Sequence, residues 1–295
     1  MADASNDPVW SWPEERWRAM IGRVRAGRPL KPKKWKGGAR AAMALSFNLT
    51  GEIGAVAGGG GITALSEGHY GARRGLHRLM GLLKQQAIPA TVFVPAVAAI
   101  LYVEEIKAIL AGGHELGLHG WIGEESLALS AEAERDLVSG ARDALEKIAG
   151  LKPVGIRAPG WSFSDNSAAV ARGLGLLYDS SLMADDEPYD LTAGGEATGL
   201  IEIPVSRQRD DSTFFAPGSG APAAPEAVFD IFRRELEMAY EEGGLFQLTL
   251  HPHLVGVRSR IWIVEELLKI ARTLPGLWCA THADVALWCK GRAGG

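Results

Sequence analysis

The sequence predicts an α/β fold, built as a closed or nearly closed (β/α) barrel in one domain. Three observations predict it. Short apolar runs alternate with helical segments of roughly 10–18 residues, the pattern of βα units around a mostly parallel sheet. About seven such runs occur, enough to curl into a barrel. The chain has 295 residues, the length of one large domain or two small ones at roughly 100–200 residues each. The alternative, an open doubly wound sheet, lacks its G-x-G-x-x-G after the first strand.

The elements follow in order. Residues 1–40 form an N-terminal arm with Trp10, Trp12, Trp17 and Trp35 among Lys31, Lys33, Lys34 and several prolines. Such an arm lays its indoles on its own domain or on a neighbouring subunit. Ala42–Phe47 is the first strand. Gly58–Gly61 lacks the Lys-Ser/Thr of a P-loop and reads as a loop. Ala72–Gln86 is a helix with Leu76, Leu79, Met80 and Leu83 on one face. Pro89 marks the start of the strand Ala90–Pro95. A helix over Val103–Leu110 leads to the strand Glu115–His119. Glu132–Ala149 is a helix, with Ser130 as N-cap and Gly150 after its end. Val154–Arg157 is a strand and Ser167–Leu174 a helix. Ile201–Val205 is a strand, Pro225–Glu242 a helix, Leu245–Leu250 a strand and Ile261–Leu274 a helix. The strand Leu277–Ala280 and a helix to Cys289 close the chain.

Composition excludes several classes. Apolar residues at 47% and charged residues at 22% rule out a disordered or collagen-like chain. A net charge of −4 argues against a nucleic-acid surface. No apolar run reaches the ~20 residues that span a bilayer. Met1–Pro13 lacks the basic-then-apolar order of an export signal, and Cys279 and Cys289 make neither a CxxC nor a disulfide framework. A cytoplasmic protein is expected.

In such barrels chemistry sits at the C-terminal ends of the strands. Asn48, Thr50 and Glu52 follow the first strand, His119, Glu124 and Glu125 the third, and Arg157 and Trp161 the fourth. His251 and His253 follow LFQLTL, and His282 and Asp284 follow LWCAT. His114 reads as structural, and His253 and His282 as supporting or surface residues. Asp179, Asp185 and Asp186 follow a short strand and read first as turn-formers.

These residues lie in segments that resemble the polysaccharide deacetylase (NodB-homology) superfamily, over roughly residues 35 to 290. SFNLTGE (46–52) stands at the first motif, GHELGLHGW (113–121) at the second and RAPGW (157–161) at the third. YDSSLMADDEPY (178–189), IEIPVS (201–206), LTLHPH (248–253) and LWCATHADVA (277–286) match later segments in order. WKGGAR (35–40) and HPHLVGVRSRI (251–261) most resemble the branch with peptidoglycan deacetylase-like proteins, metal-independent allantoinases and cyclic imide hydrolases. The resemblance implies a distorted (β/α) barrel of the glycoside hydrolase/deacetylase type. It makes residues 41–291 the catalytic domain behind the arm and the oligomer a homotetramer; the Trp-rich arm reads as an interface element.

In that superfamily an acid of the first motif is the general base. A second acid and two histidines hold a Zn, Co or Mn ion. Here the two acids are Asn48 and Thr50, the first histidine is His119 and the second is Gly123. A catalytic ion needs about three protein ligands, so no tightly bound metal and no other cofactor are expected. A rebuilt site from Glu52, Glu124 or His69 is the remaining route to one.

The resemblance assigns His251 as the residue that carries a proton to the leaving nitrogen. His119 orients or deprotonates water, or is an imidazole bonded to a loop carbonyl. Asn48 and Thr50 become neutral partners for substrate. Arg157, which holds the catalytic acid in the superfamily, binds a substrate oxygen or pairs with Glu52. Trp121 and Trp161 wall a flat substrate or pack under a loop. The expected function is metal-independent hydrolysis of a non-peptide C–N bond in a small cyclic imide or ureide, without nucleic-acid or membrane partners. A metal-dependent N-deacetylase of a glycan and a non-catalytic binding relative are the alternatives.

Overall fold

The computed structural model describes residues 8–216 and 223–292, so Met1–Asp7 of the arm lie outside the described residues. The strands are β1 (Val24–Pro29), β2 (Ala41–Asn48), β3 (Thr91–Val94), β4 (Glu115–Leu118), β5 (Gly155–Ile156), β6 (Tyr178–Asp179), β7 (Tyr189–Ala193), β8 (Glu196–Glu202), β9 (Leu245–Leu250) and β10 (Leu277–Ala280). Among the described residues they form one sheet in the order β1-β7-β8-β6-β5-β4-β3-β2-β10, with β9 also beside β2. All pairings are parallel except those of β7 with β1 and β8.

β2 is the centre of this curled sheet. It runs beside β9 over 42–47, beside β10 with its first half and beside β3 with its last residues. Every residue of β2 is buried, which is why AAMALSFN is nearly continuous in apolar residues rather than alternating. Among the described residues, the wall between β8 and β9 is closed by a single parallel bridge, Asp210 to Thr249. That seam later proves to position the site.

The helices are α1 (Glu14–Ile21), α2 (Ile53–Ala57), α3 (Ile62–Tyr70), α4 (Leu76–Gln86), α5 (Ala96–Leu101), α6 (Val103–Ala111), α7 (Ala131–Ala149), α8 (Ser167–Gly173), α9 (Ser212–Phe215), α10 (Pro225–Glu242), α11 (Ile261–Thr273) and α12 (His282–Arg292). α7 follows its sequence signals. The Ser130 hydroxyl accepts the Ala133 N–H at 3.2 Å, Val138, Ala141 and Leu145 are buried, and Gly150 ends the helix at φ 72°. The first turn of the expected 72–86 helix is instead a π turn, Gly71–Gly75, continuous with α3. No helix among the described residues is long and apolar enough to cross a membrane.

Two strands lie outside the expected alternation. β7 and β8 form a hairpin through Gly194-Gly195, at φ 59° and 85°, the positive φ pair that a tight two-residue turn demands. β1, from the arm, adds antiparallel to β7. β1 was not legible because VRAGRP is mostly exposed and carries no apolar run. The strand expected at 201–205 is paired over Glu196–Glu202 instead, and Ile203 and Val205 stay buried beyond the ladder. Of the arm's indoles, Trp35 is fully buried and donates its N–H to the Gly243 carbonyl at 3.0 Å, whereas Trp10 is 82% exposed.

Candidate active site

The loops at the C-terminal ends of β2, β4, β5 and β9 surround a cavity of about 700 Å³, with Asn48, His119, Asp210 and His251 among its lining residues. That volume suits a small molecule. At its base runs one chain of hydrogen bonds whose direction can be assigned from chemistry alone. Arg157 is fully buried. It donates to the Ser180 carbonyl and hydroxyl at 2.9 Å each, to Ser46 Oγ at 2.9 Å and to Asn48 Oδ1 at 3.0 Å. Its guanidinium also lies 4.1 Å from the Phe93 ring centroid. A guanidinium only donates, so Asn48 must turn its oxygen to Arg157 and its NH₂ away. That NH₂ faces His251 Nε2 at 3.2 Å. His251 Nε2 is therefore the acceptor, and the ring proton resides on Nδ1. Nδ1–H donates to Asp211 Oδ1 at 2.7 Å, and the His251 backbone N–H donates to Asp211 Oδ2 at 3.0 Å.

The local fold explains how these groups meet. Asp210 bridges Thr249 at the seam of the sheet, and the Asp211 N–H donates to the Thr249 carbonyl at 3.2 Å. That pairing sets Asp211 beside His251. From the other side, α4 and the π turn press on the His-Pro-His loop. A Cβ added at Gly71 would lie 2.8 Å from His253 Cβ, and one at Gly75 only 1.9 Å from the Pro252 carbonyl oxygen. Glycine at both positions is what lets the loop seat this deeply.

Burial lowers the proton affinity of His251, but the Asp211 and Asp210 carboxylates outweigh it and leave the ring above its ordinary value. His119 differs. Burial pushes it down to about 3, which favours the neutral ring. Its Nδ1 is 2.9 Å from the Arg157 carbonyl; a carbonyl accepts, so Nδ1 carries the proton and Nε2 keeps its lone pair. His253, edge-on to His251 at 5.9 Å between ring centroids, is pushed down to about 4 by burial and by His251.

The other expected site residues separate. Thr50 and Trp161 line the cavity. Trp161 holds a φ of 58°, a left-handed conformation that costs a non-glycine residue about 1–2 kcal/mol. The guanidinium of Arg207 sits 5.3 Å from the centre of its ring. Trp121 packs against the core, toward Gly140 of α7. The Glu124 carboxylate accepts the backbone N–H groups of Trp121 and Ile122 at 2.8–3.0 Å. Glu52 does not reach Arg157. It accepts from Tyr102 OH and pairs with His69 Nδ1 at 2.7 Å, and Arg157 has no exposed edge for a substrate oxygen.

Two further expectations are corrected. Asp179 is a buried strand residue, not a surface turn-former. It accepts the Ser181 N–H at 2.8 Å beside Glu202, and burial raises it to about 6. Asp186 pairs with Arg209 at 2.9 Å, while Asp185 does serve a turn through the Glu187 N–H. His282 is fully buried, not a surface residue, with neither ring nitrogen hydrogen-bonded, between Phe93 and Tyr178. His114 accepts the Ala90 N–H at 3.1 Å, the structural role expected of it. Asp211 was missed altogether. It lies in RQRDDS, outside any periodic strand, and only the seam gives it a neighbour.

The superfamily's metal does not fit this donor set. Asn48 is committed to Arg157 and His251, Thr50 offers a neutral hydroxyl, and Gly123 has no side chain and sits at φ 92°. His119 alone is too few. Among the described residues, Asp210, Asp211 and His251 are a second group, with ligand atoms within 4.8 Å of one another. An ion on His251 Nδ1 would force the proton to Nε2, against the Asn48 NH₂, and the Arg157 clamp forbids that amide to flip. Of the proposed substitutes, Glu52 and His69 pair with each other, and Glu124 is spent on its own loop.

The polysaccharide deacetylase profile matches residues 69–178. The peptidoglycan deacetylase of Helicobacter pylori is 28% identical over 268 residues, covering 81% of this chain and 91% of that one. A solved structure from Mycobacterium smegmatis, assigned to the polysaccharide deacetylases, superposes with a TM-score of 0.82 at 30% identity, covering 92% of this chain and 96% of that one. An allantoinase structure shares the fold at a TM-score of 0.78 and 23% identity, covering 87% and 92%. With this fold, these motif positions and that coverage, the chain belongs to the polysaccharide deacetylase family.

Proposed function

We propose that the protein hydrolyses a non-peptide C–N bond in a small cyclic imide or ureide, without a metal. The observation that carries this reading is the Arg157–Asn48–His251–Asp211 chain beside a His119 stripped of partner ligands. An unactivated acetamide needs a Lewis acid to polarise its carbonyl and to supply hydroxide near neutral pH. An imide needs less, because its leaving nitrogen carries a second carbonyl that spreads the expelled charge. One fixed donor facing the developing oxyanion is worth about 3–4 kcal/mol, and the Thr50 hydroxyl is available for that role. His251, oriented by Asp211, moves the proton. The His119 Nε2 lone pair orients the water, and Trp161 walls the ring.

The likeness to the H. pylori protein favours a second reading, hydrolysis of an acetamide on a glycan. One panel separates them. Succinimide, hydantoin, allantoin, a dihydropyrimidine and N-acetylated sugars are assayed with and without a chelator. The first reading expects ring opening that chelation leaves unchanged and that His251→Ala abolishes. Chelator-sensitive release of acetate supports the second reading. No turnover of any substrate leaves a non-catalytic binding protein.

A further inference from the structure

We infer that Asn48, locked by Arg157, sets the order of proton transfer, so that His251 acts as base before it acts as acid. The inference rests on the hydrolase reading for its chemical step, but its structural half stands on hydrogen-bond direction alone. A carboxylate at position 48 would accept from His251 and favour a doubly protonated ring, an acid at rest. The amide instead presents a donor to Nε2 and opposes a proton there. Arg157 has its donors aimed at Ser46, Ser180 and Asn48, so the Asn48 oxygen cannot turn to the imidazole. Its NH₂ meets Nε2 at 3.2 Å, a long contact that a water molecule can displace. Asn48 is thus a positioning residue for the ring's protonation state.

The step balances. The Nε2 lone pair takes a proton from water as the water oxygen bonds to the imide carbonyl carbon and the C=O pair moves to oxygen. When the intermediate collapses, the C–N bond breaks and the nitrogen leaves with the proton from Nε2. The product is one ring-opened molecule that carries both a carboxylic acid and an amide, and the imidazole returns to its starting form. One histidine serves both transfers, and His119, pushed down to about 3 by burial, takes no part as an acid.

The charged and titratable groups around His251 are Asp210 and Asp211 ahead of α9, Arg157 after β5, His119 after β4 and His253 on its own loop. Asn48→Asp adds an acceptor to this set. The test uses the full chain labelled with ¹⁵N-histidine and two-bond ¹H–¹⁵N spectra from pH 5 to 9, with His251→Gln to assign the ring. The neutral parent ring shows the Nδ1–H form with an unprotonated Nε2. Asn48→Asp raises its titration midpoint by about one pH unit or more. Asn48→Ala, which only removes the opposing NH₂, raises it by less. An Nε2–H form in the parent, or a midpoint that neither variant raises, overturns the inference. On hydantoin, the acidic limb of kcat moves with the midpoint. A correct ring form with no ring-opening activity rejects the substrate reading and leaves the polarity intact.

Discussion

Asp211 holds His251 at two points, accepting the ring Nδ1–H at 2.7 Å with one carboxylate oxygen and the backbone N–H at 3.0 Å with the other. Both partners are donors, and only a carboxylate has two acceptors to offer them. Ring angle is therefore set by one fully buried side chain, which accepts the same Nδ1 proton that the Asn48 NH₂ on the far side of the ring favours.

Asp211→Asn leaves one acceptor for two donors. We expect kcat to fall by about 10²–10⁴, the scale seen when such an acid is made an amide, with the circular dichroism spectrum unchanged. Asp211 is also what raises the His251 proton affinity, so the residual acidic limb moves to lower pH. A kcat within threefold of the parent would remove Asp211 from the machinery.

Trp161 is expected to separate stability from activity. Its φ of 58° favours glycine, so Trp161→Gly trades lost contact area against about 1–2 kcal/mol of relieved strain. The thermal midpoint should change by less than about 4 °C, while KM for an imide rises about tenfold or more. A large fall in the midpoint with KM unchanged would mean that the indole serves packing only.

Gly75 tests whether the π turn ahead of α4 seats the His251 loop. A methyl there would meet the Pro252 carbonyl oxygen at 1.9 Å, so the backbone after His251 has to shift. Gly75→Ala should cost about 1–3 kcal/mol in urea denaturation and lower kcat about tenfold or more. Gly81→Ala, on α4 just after the turn, meets nothing within 4 Å and should stabilise by about 0.4–1 kcal/mol with full activity. Equal behaviour of the two variants would refute the seating role.

Asp179 makes stability depend on pH. Burial beside Glu202 raises it from 3.8 to about 6. A raised acid binds its proton more tightly folded than unfolded, so stability is lost as pH climbs from about 4 through about 6. Asp179→Asn keeps an acceptor for the Ser181 N–H and removes the buried charge. Its melting temperature should exceed the parent's at pH 8 and come closer to it at pH 4. A gain of the same size at both pH values would contradict this.

Much of the fold was legible because βα units write themselves locally. The parallel strands and the capped helix α7 lie within a few residues of their expected places. β1 and β7 escaped because an edge pair needs only backbone partners and leaves little trace in side-chain pattern. In the site, His251, His119, Asn48 and Trp161 could be picked from strand ends. Asp211 could not, since its signal is a neighbour 40 residues away.

Residue order by itself determined the barrel's βα rhythm, the family and the residue types that stand at the family's motif positions, because periodicity and residue type are properties of short stretches of chain. It left open which groups touch. The tertiary structure decided that Arg157 serves Asn48 rather than Glu52, that Trp161 and not Trp121 faces the cavity, and that His251 receives a donor from a residue 203 positions distant. Hydrogen bonds run in one direction between atoms a few ångströms apart, and only the closed fold brings those atoms together.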